Sequence, residues 1–254
     1  MASTTADGTI QSTRKALLLL KHVGMHHGTG VRLTDLIGLT GFDKSTAHRL
    51  LGYLVEEGFV ERIGASKRYR LGIESIQLGF AASDMAPLVE RFRPLMHRVA
   101  RISEDTVFFV VRSGDESVYV DRLEGAYPVK AFVAEPGKRR LLGFSAVGVC
   151  MLVDDSDKDI AAMYERHAEP YGKLGMTLAI LRAHIRFARK NGYSELHDFG
   201  PAETAGVGCA FQLTPTLKAG ISIAAIRSRM DSTRMRELGR LLQREIAEVV
   251  RTTS

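Results

Sequence analysis

The sequence predicts an α+β protein in two parts, and three observations carry that prediction. Residues 12–72 hold three helical patterns followed by two β-rich runs around a turn, the rest mixes strand pairs with helices without a regular strand-helix-strand repeat, and the pattern changes near residue 72. With 254 residues the chain is long enough for two cores. At 45% hydrophobic and 25% charged residues, wholesale disorder is excluded. The net charge of +6 hints at a polyanionic partner.

Residues 1–11 read as a flexible tail. Ser12 to His27 then carries Leu17, Leu18, Leu19, Leu20 and Val23, a broad apolar helical face capped by Ser12 or Thr13. Thr34-Asp35-Leu36-Ile37 begins a short second helix with a capping residue and an acid in its first turn, and Gly41 stands at its left-handed end. Asp43 caps a third helix whose buried stripe is Ala47, Leu50, Leu51 and Leu54, ending at Gly58.

The opposite face of the third helix aligns Ser45, His48, Arg49 and Gly52 at i, i+3, i+4 and i+7, with nothing bulky and apolar among them. With Lys44 and Thr46 in the first turn, such a stripe suits a DNA major groove: Arg reads guanine, the helix N-terminus approaches phosphate and Gly52 permits close approach. Taken alone, such a stripe is more often a solvated face than a DNA contact. Its context is Phe59 to Ile63 and Lys67 to Leu71 around Gly64-Ala65-Ser66, a hairpin with Arg62, Lys67, Arg68 and Arg70 near its tip. Helix, helix, turn, helix and basic hairpin is the order of a winged helix-turn-helix. Between Lys44 and Arg70 six basic residues face three acidic ones, so half the net charge lies where that motif needs it.

Leu33 to Ile37, Thr40-Gly41-Phe42, Lys44-Ser45-Thr46, His48 to Leu51, Leu54, Glu57 to Val60 and Tyr69 to Gly72 together resemble the N-terminal domain of the IclR family of bacterial transcription regulators. The resemblance implies a DNA-binding dimer whose third helix enters the major groove and whose wing follows the backbone. The expected contacts to double-stranded DNA are Thr34, Lys44, Ser45, Thr46, His48 and Arg49, with Arg62, Lys67 and Arg68 on the wing.

Residues 73–93 read as a helical linker through Ile76, Leu78, Phe80, Leu88, Val89 and Phe92, interrupted near Ala86-Pro87; in the resembled family this linker pairs with its twin. Pro94 is expected to open a separate helix to Ile102, because proline inside a helix costs about 3 kcal/mol. The second part, residues 94–254, is expected to hold a hairpin of Thr106 to Arg112 and Ser117 to Leu123 and a third strand at Val129 to Val133. Helices follow at Ser145 to Val153, Asp157 to His167 and Thr177 to Asn191. Strands are expected at Tyr193 to His197, Val207 to Gln212 and Ile221 to Arg227, before a last helix capped by Asp231 or Ser232.

Gly143 to Gly148 places small residues at a helix start, where free N–H groups receive a carboxylate; close packing of a small-residue helix on a sheet explains the same residues equally well. This half also resembles the IclR family, whose effector domain is GAF-like, through Gly114-Asp115, Val118 to Arg122, Leu142 to Gly148, Gly192-Tyr193, Ala205 to Ala210 and Ala219 to Ile223. The resemblance implies an effector site lined by Phe144, Ser145, Ala146, Gly148, Cys209 and Ser222, in a homodimer or homotetramer. Val149 and Ala224 stand where the family commonly has a basic residue and a serine. A larger aromatic or otherwise apolar organic acid is therefore expected in preference to a small hydroxy or keto acid. Asp198 and Glu203 lie just before the Cys209 strand and offer a carboxylate.

Other classes fare worse. The longest uncharged runs, Leu141 to Val153 and Thr204 to Leu217, fall short of the roughly 18 apolar residues a membrane helix needs. The first residues lack the basic and apolar regions of a secretory signal, so a cytoplasmic protein without membrane contact is expected. Cys150 and Cys209, the 2 cysteines, lack zinc spacing, and His22 and His26 lack a third ligand, so neither metal nor cofactor is expected. A winged-helix methyltransferase is the alternative, but Gly206-Val207-Gly208 lacks the third glycine of a dinucleotide turn. Cys209 with His197 and Asp198 has no nucleophile signature, so no catalytic residue is assigned.

Overall fold

A computed structural model describes residues 3–81, 86–131, 134–197 and 203–251. The chain divides into two compact units, Met1–Pro87 and Leu88–Ser254.

In the first unit α1 (Ser3–Met25) begins inside the stretch expected to be a tail. It is followed by β1 (Val31–Arg32), α2 (Leu33–Thr40), α3 (Lys44–Glu56), β2 (Val60–Ile63) and β3 (Arg68–Leu71). Gly41 takes φ 68° and donates its N–H to the Ile37 carbonyl, which stops α2 at the predicted place. Asp43 caps α3 by accepting from the Thr46 N–H. A 3-10 turn, Gly64–Ser66, closes the wing, and β3 lies at the centre of an antiparallel sheet ordered β1-β3-β2. No sequence pattern announces β1, because two residues carry no alternation. Leu19, Val23, Leu36, Leu50, Leu51, Val60 and Tyr69 form the core.

The connector resolves into α4 (Ile73–Ala81) and α5 (Ala86–Ser103). The helix break expected at Pro94 does not occur, since Pro94 lies inside α5. Glu90 and Pro94 are both exposed, so the carbonyl deprived of its donor is on the solvent side. On the other side Phe92, Leu95, Met96 and Val99 are buried. At about 1.5–3 kcal/mol each, these four offset the proline.

The second unit contains β4 (Thr106–Ser113), β5 (Glu116–Leu123), β6 (Arg139–Leu141), α6 (Ala146–Cys150), α7 (Asp157–Arg166), α8 (Ala168–Lys173) and α9 (Leu178–Asn191). Then come β7 (Ser194–His197), β8 (Thr204–Thr214), β9 (Leu217–Ile226) and α10 (Ser232–Arg251). The strands form one antiparallel sheet ordered β6-β5-β4-β9-β8-β7. Alternation assigns its faces. Phe108, Val110 and Tyr119 pack with residues of α6, α7, α8 and α9, whereas Val107, Phe109, Ile221 and Ile223 pack with α5 and α10.

The strand expected at Val129 to Val133 is not formed over 129–131, and 132–133 lie outside the described residues. Pinning explains this: the Tyr127 N–H donates to the Glu104 carbonyl, and the Arg229 guanidinium lies 3.7 Å from the Tyr127 ring centroid. Pairing with β5 passes instead to β6. Asp105, its side chain 1% exposed, receives Arg229 Nε and Arg234 Nη2 at 2.9 Å each, which ties the start of β4 to α10.

Candidate nucleic-acid interface and ligand-binding face

The buried stripe of α3 leaves Lys44, Ser45, His48, Arg49 and Gly52 exposed and Thr46 half-buried. Lys44, His48 and Arg49 make no ion pair or side-chain hydrogen bond among the described residues. Gly52 has nothing within 4 Å of where a Cβ would stand, so the protein itself has no steric use for a glycine there. Asp43 caps the α3 N-terminus. Its Oδ1 accepts from the Thr46 N–H at 2.8 Å and the Ser45 hydroxyl at 2.7 Å, bonds that hold the carboxyl well below the usual carboxylate range.

On the wing, the Arg62 guanidinium lies 5.6 Å from the Tyr69 ring centroid, and Lys67 projects from the tip with φ 55°. Arg68 does not join them as a free cation. It is half-buried and donates Nη1 to the Gly30 carbonyl at 2.8 Å, anchoring the wing to the turn before β1. Arg70 is paired with Glu61. Thr34 is exposed, its hydroxyl 3.3 Å from Asp35 Oδ1. Between wing and helices lies a cavity of about 460 Å³ lined by Arg32, Leu33, Thr34, His48, Arg62, Ser66, Lys67 and Tyr69. Arg32 is the cation that the sequence reading passes over, because its place depends on β1.

In the second unit α6 is pressed onto the sheet. A Cβ on Gly208 would lie 2.3 Å from the Val147 nitrogen, and one on Gly220 2.4 Å from Val147 Cγ2. Ser145 caps α6, its hydroxyl accepting the Gly148 N–H at 3.1 Å, and the Ser194 hydroxyl donates to the Ala146 carbonyl. Close packing thus accounts for the small residues. Phe144, Ala146 and Gly148 lie in this layer, and Phe144 packs edge-on to Tyr171 with centroids 4.9 Å apart. Ser222 pairs with Phe108 and shares its face, together with Ala224 and Leu196.

Cys209 does not belong to that group. It pairs with Ile221 on the opposite face and points at α10, its sulfur 3.9 Å from the Gly239 carbonyl. Alternation with Val207 is the signal that separates it from Gly208 and Ser222. Cys150 instead occupies the α6 side, donating its thiol to the Gly208 carbonyl at 3.1 Å. Burial pushes the Cys150 thiol up to about 11 and Cys209 up as well, so neither is a thiolate nucleophile at neutral pH. Asp198 lies outside the described residues. Glu203 is exposed, its carbonyl accepting the Arg227 N–H.

The antiparallel sheet also excludes the parallel dinucleotide-binding architecture of the methyltransferase alternative. His26 Nδ1 lies 2.8 Å from the His22 carbonyl, and His27 Nδ1 accepts the Leu71 N–H. Among the described residues no group of three His, Cys, Asp or Glu is placed to hold a metal, and no helix is long and apolar enough to cross a membrane.

Comparison with known proteins agrees with these two units. The family model described as bacterial transcriptional regulator IclR C-terminal matches residues 80–251, and the IclR helix-turn-helix domain matches residues 12–64. The chain is 30% identical over 217 residues to the HTH-type transcriptional regulator KipR of Bacillus subtilis, covering 82% of this chain and 84% of that one. It is 26% identical to the transcriptional repressor IclR of Escherichia coli, covering 98% and 92%. An IclR family transcriptional regulator from Brucella abortus superposes with a TM-score of 0.77 at 17% identity, covering 99% of this chain and 96% of that one. An IclR homologue from Microbacterium hydrocarbonoxydans, solved as a complex with 4-hydroxybenzoate, gives 0.71 at 18% identity, covering 94% and 97%.

Proposed function

The chain belongs to the IclR family of bacterial transcriptional regulators, a family of DNA-binding proteins and not enzymes, and we propose that it binds one operator sequence under control of an organic acid. The observation that carries the DNA reading is the exposed stripe on α3, on which Lys44, His48 and Arg49 have no partner among the described residues and Gly52 has open space. In this reading Arg49 and His48 face bases, Lys44, Ser45, Thr46 and Thr34 hold the flanking backbone, and Arg62 and Lys67 follow it from the wing.

Residues 12–72 serve as the DNA-binding part, 73–93 as linker and 94–254 as the sensing and assembly part of a cytoplasmic homodimer or homotetramer. Exposed Ile73, Ile76 and Leu78 on α4 support pairing with a second copy. The effector would occupy the α6 side of the sheet, near Phe144, Ala146 and Ser222, where Phe108, Tyr119, Leu196 and Ala224 make the surroundings apolar. That lining favours an aromatic acid, the class to which the Microbacterium homologue's 4-hydroxybenzoate belongs. The effector acts only by favouring one arrangement of the DNA-binding parts over another.

A gel-shift titration with duplexes from the intergenic region beside its gene tests the first half. Specific retention that Arg49→Ala weakens by about 1–3 kcal/mol at one base position is expected. Absence of retention at low salt overturns the reading. Thermal-shift screening of aromatic acids tests the second half, since a true effector raises the melting temperature and shifts the operator titration.

A further inference from the structure

The cavity beside the wing gathers positive charge. Arg32, Arg62 and Lys67 line it with His48; among the described residues no carboxylate lines it, and Asp35 beside it accepts from the Arg32 N–H and the Thr34 hydroxyl. Like charges drawn around one concavity repel, and an anion seated among them relieves that repulsion. Arg32 and Arg68 are register partners on β1 and β3, yet their guanidinium groups differ in use. Arg68 donates to the Gly30 carbonyl, with a weaker reach to the Thr29 carbonyl. Arg32 is exposed; its backbone N–H is bonded to Asp35 Oδ2 at 3.2 Å, and its side chain has no ion pair or hydrogen bond among the described residues. Thr34 adds a hydroxyl to the rim, and His48 brings the recognition helix to the same cavity.

We infer that this cavity seats one phosphodiester of the DNA backbone and that Arg32, not Arg68, is its principal ligand. The inference rests on the DNA-binding reading above and adds a contact that is independent of sequence. The duplex strand runs between wing and recognition helix, and one phosphate fixes the depth at which α3 sits in the groove.

The test is fluorescence anisotropy on the full chain over a salt series, with a random-sequence duplex and a duplex from its own flanking region. Arg32→Ala lowers the slope of log affinity against log salt by about 0.9 on both duplexes, at an unchanged melting temperature. Arg32→Lys keeps most of the slope. Arg68→Ala lowers the melting temperature and leaves the slope of the folded fraction as in wild type. If wild type binds and Arg32→Ala has the same slope, the seat is wrong while the regulator reading stands. A loss confined to the chain's own duplex also overturns the seat, because it marks a base contact. A slope lost in Arg68→Ala at unchanged melting temperature overturns the exchange of roles. Wild type that binds neither duplex overturns both readings.

Discussion

Gly52 separates what α3 needs to fold from what it needs to bind. Glycine inside a helix costs about 1 kcal/mol relative to alanine. A Cβ at Gly52 meets nothing within 4 Å, so no clash offsets the gain. Gly52→Ala therefore stabilises the first unit by about 1 kcal/mol, which for a unit of this size raises its melting temperature by roughly 4–8 °C. On DNA the sign reverses. Forcing a methyl into a close-packed contact costs about 1–3 kcal/mol, or roughly a 5- to 150-fold loss of operator affinity. Calorimetry and anisotropy on the same preparation read both effects. Unchanged affinity in a stabilised variant would refute the placement of this stripe against the duplex, and absence of stabilisation would refute the argument from open space.

Other outcomes follow from the same structure. Asp105→Asn leaves Arg229 and Arg234 without their shared carboxylate while both keep the Ser103 carbonyl, and urea denaturation should show the second unit weakened by about 1–3 kcal/mol. Asp43, whose pKa is lowered by the Thr46 N–H and the Ser45 hydroxyl, gives its full capping contribution above the unfolded aspartate value of about 3.9. The melting difference between wild type and Asp43→Ala should hold from neutral pH down to that value and shrink only below it. Ser222→Ala, which removes a hydroxyl from the α6 side of the sheet, should weaken the response to an aromatic acid while leaving operator affinity in its absence intact. Native protein treated with iodoacetamide at mildly alkaline pH should keep both thiols, read by mass spectrometry, and lose them only after denaturation.

The first unit was almost wholly legible because its signals are local. Asp43 and Gly41 end helices through their own backbone geometry, and the α3 stripe follows from helical period alone. What escaped depended on partners distant in sequence. β1 exists because β3 pairs with it, and Arg68 bonds the Gly30 carbonyl because that pairing puts it within reach. Pro94 reads as a helix break until the burial of Phe92, Leu95 and Met96 is counted against it. Family position groups Cys209 with Ser222, although each strand's alternation sends the two to opposite faces. The strand expected near Val129 fails for a similar reason, since Tyr127 is held by Glu104 and Arg229.

The sheet order has a consequence for how the chain is made. β4 pairs with β9, Thr106 opposite Ala224, so the middle of the second unit joins segments about a hundred residues apart, and β5 and β6 hang from that junction. During synthesis the first unit, whose contacts are nearby in sequence, folds as soon as it emerges. The Phe- and Val-rich edge of β4 then waits unpaired until β9 leaves the ribosome. Chains that stop before Leu217 should accordingly aggregate through that edge while keeping a folded first unit.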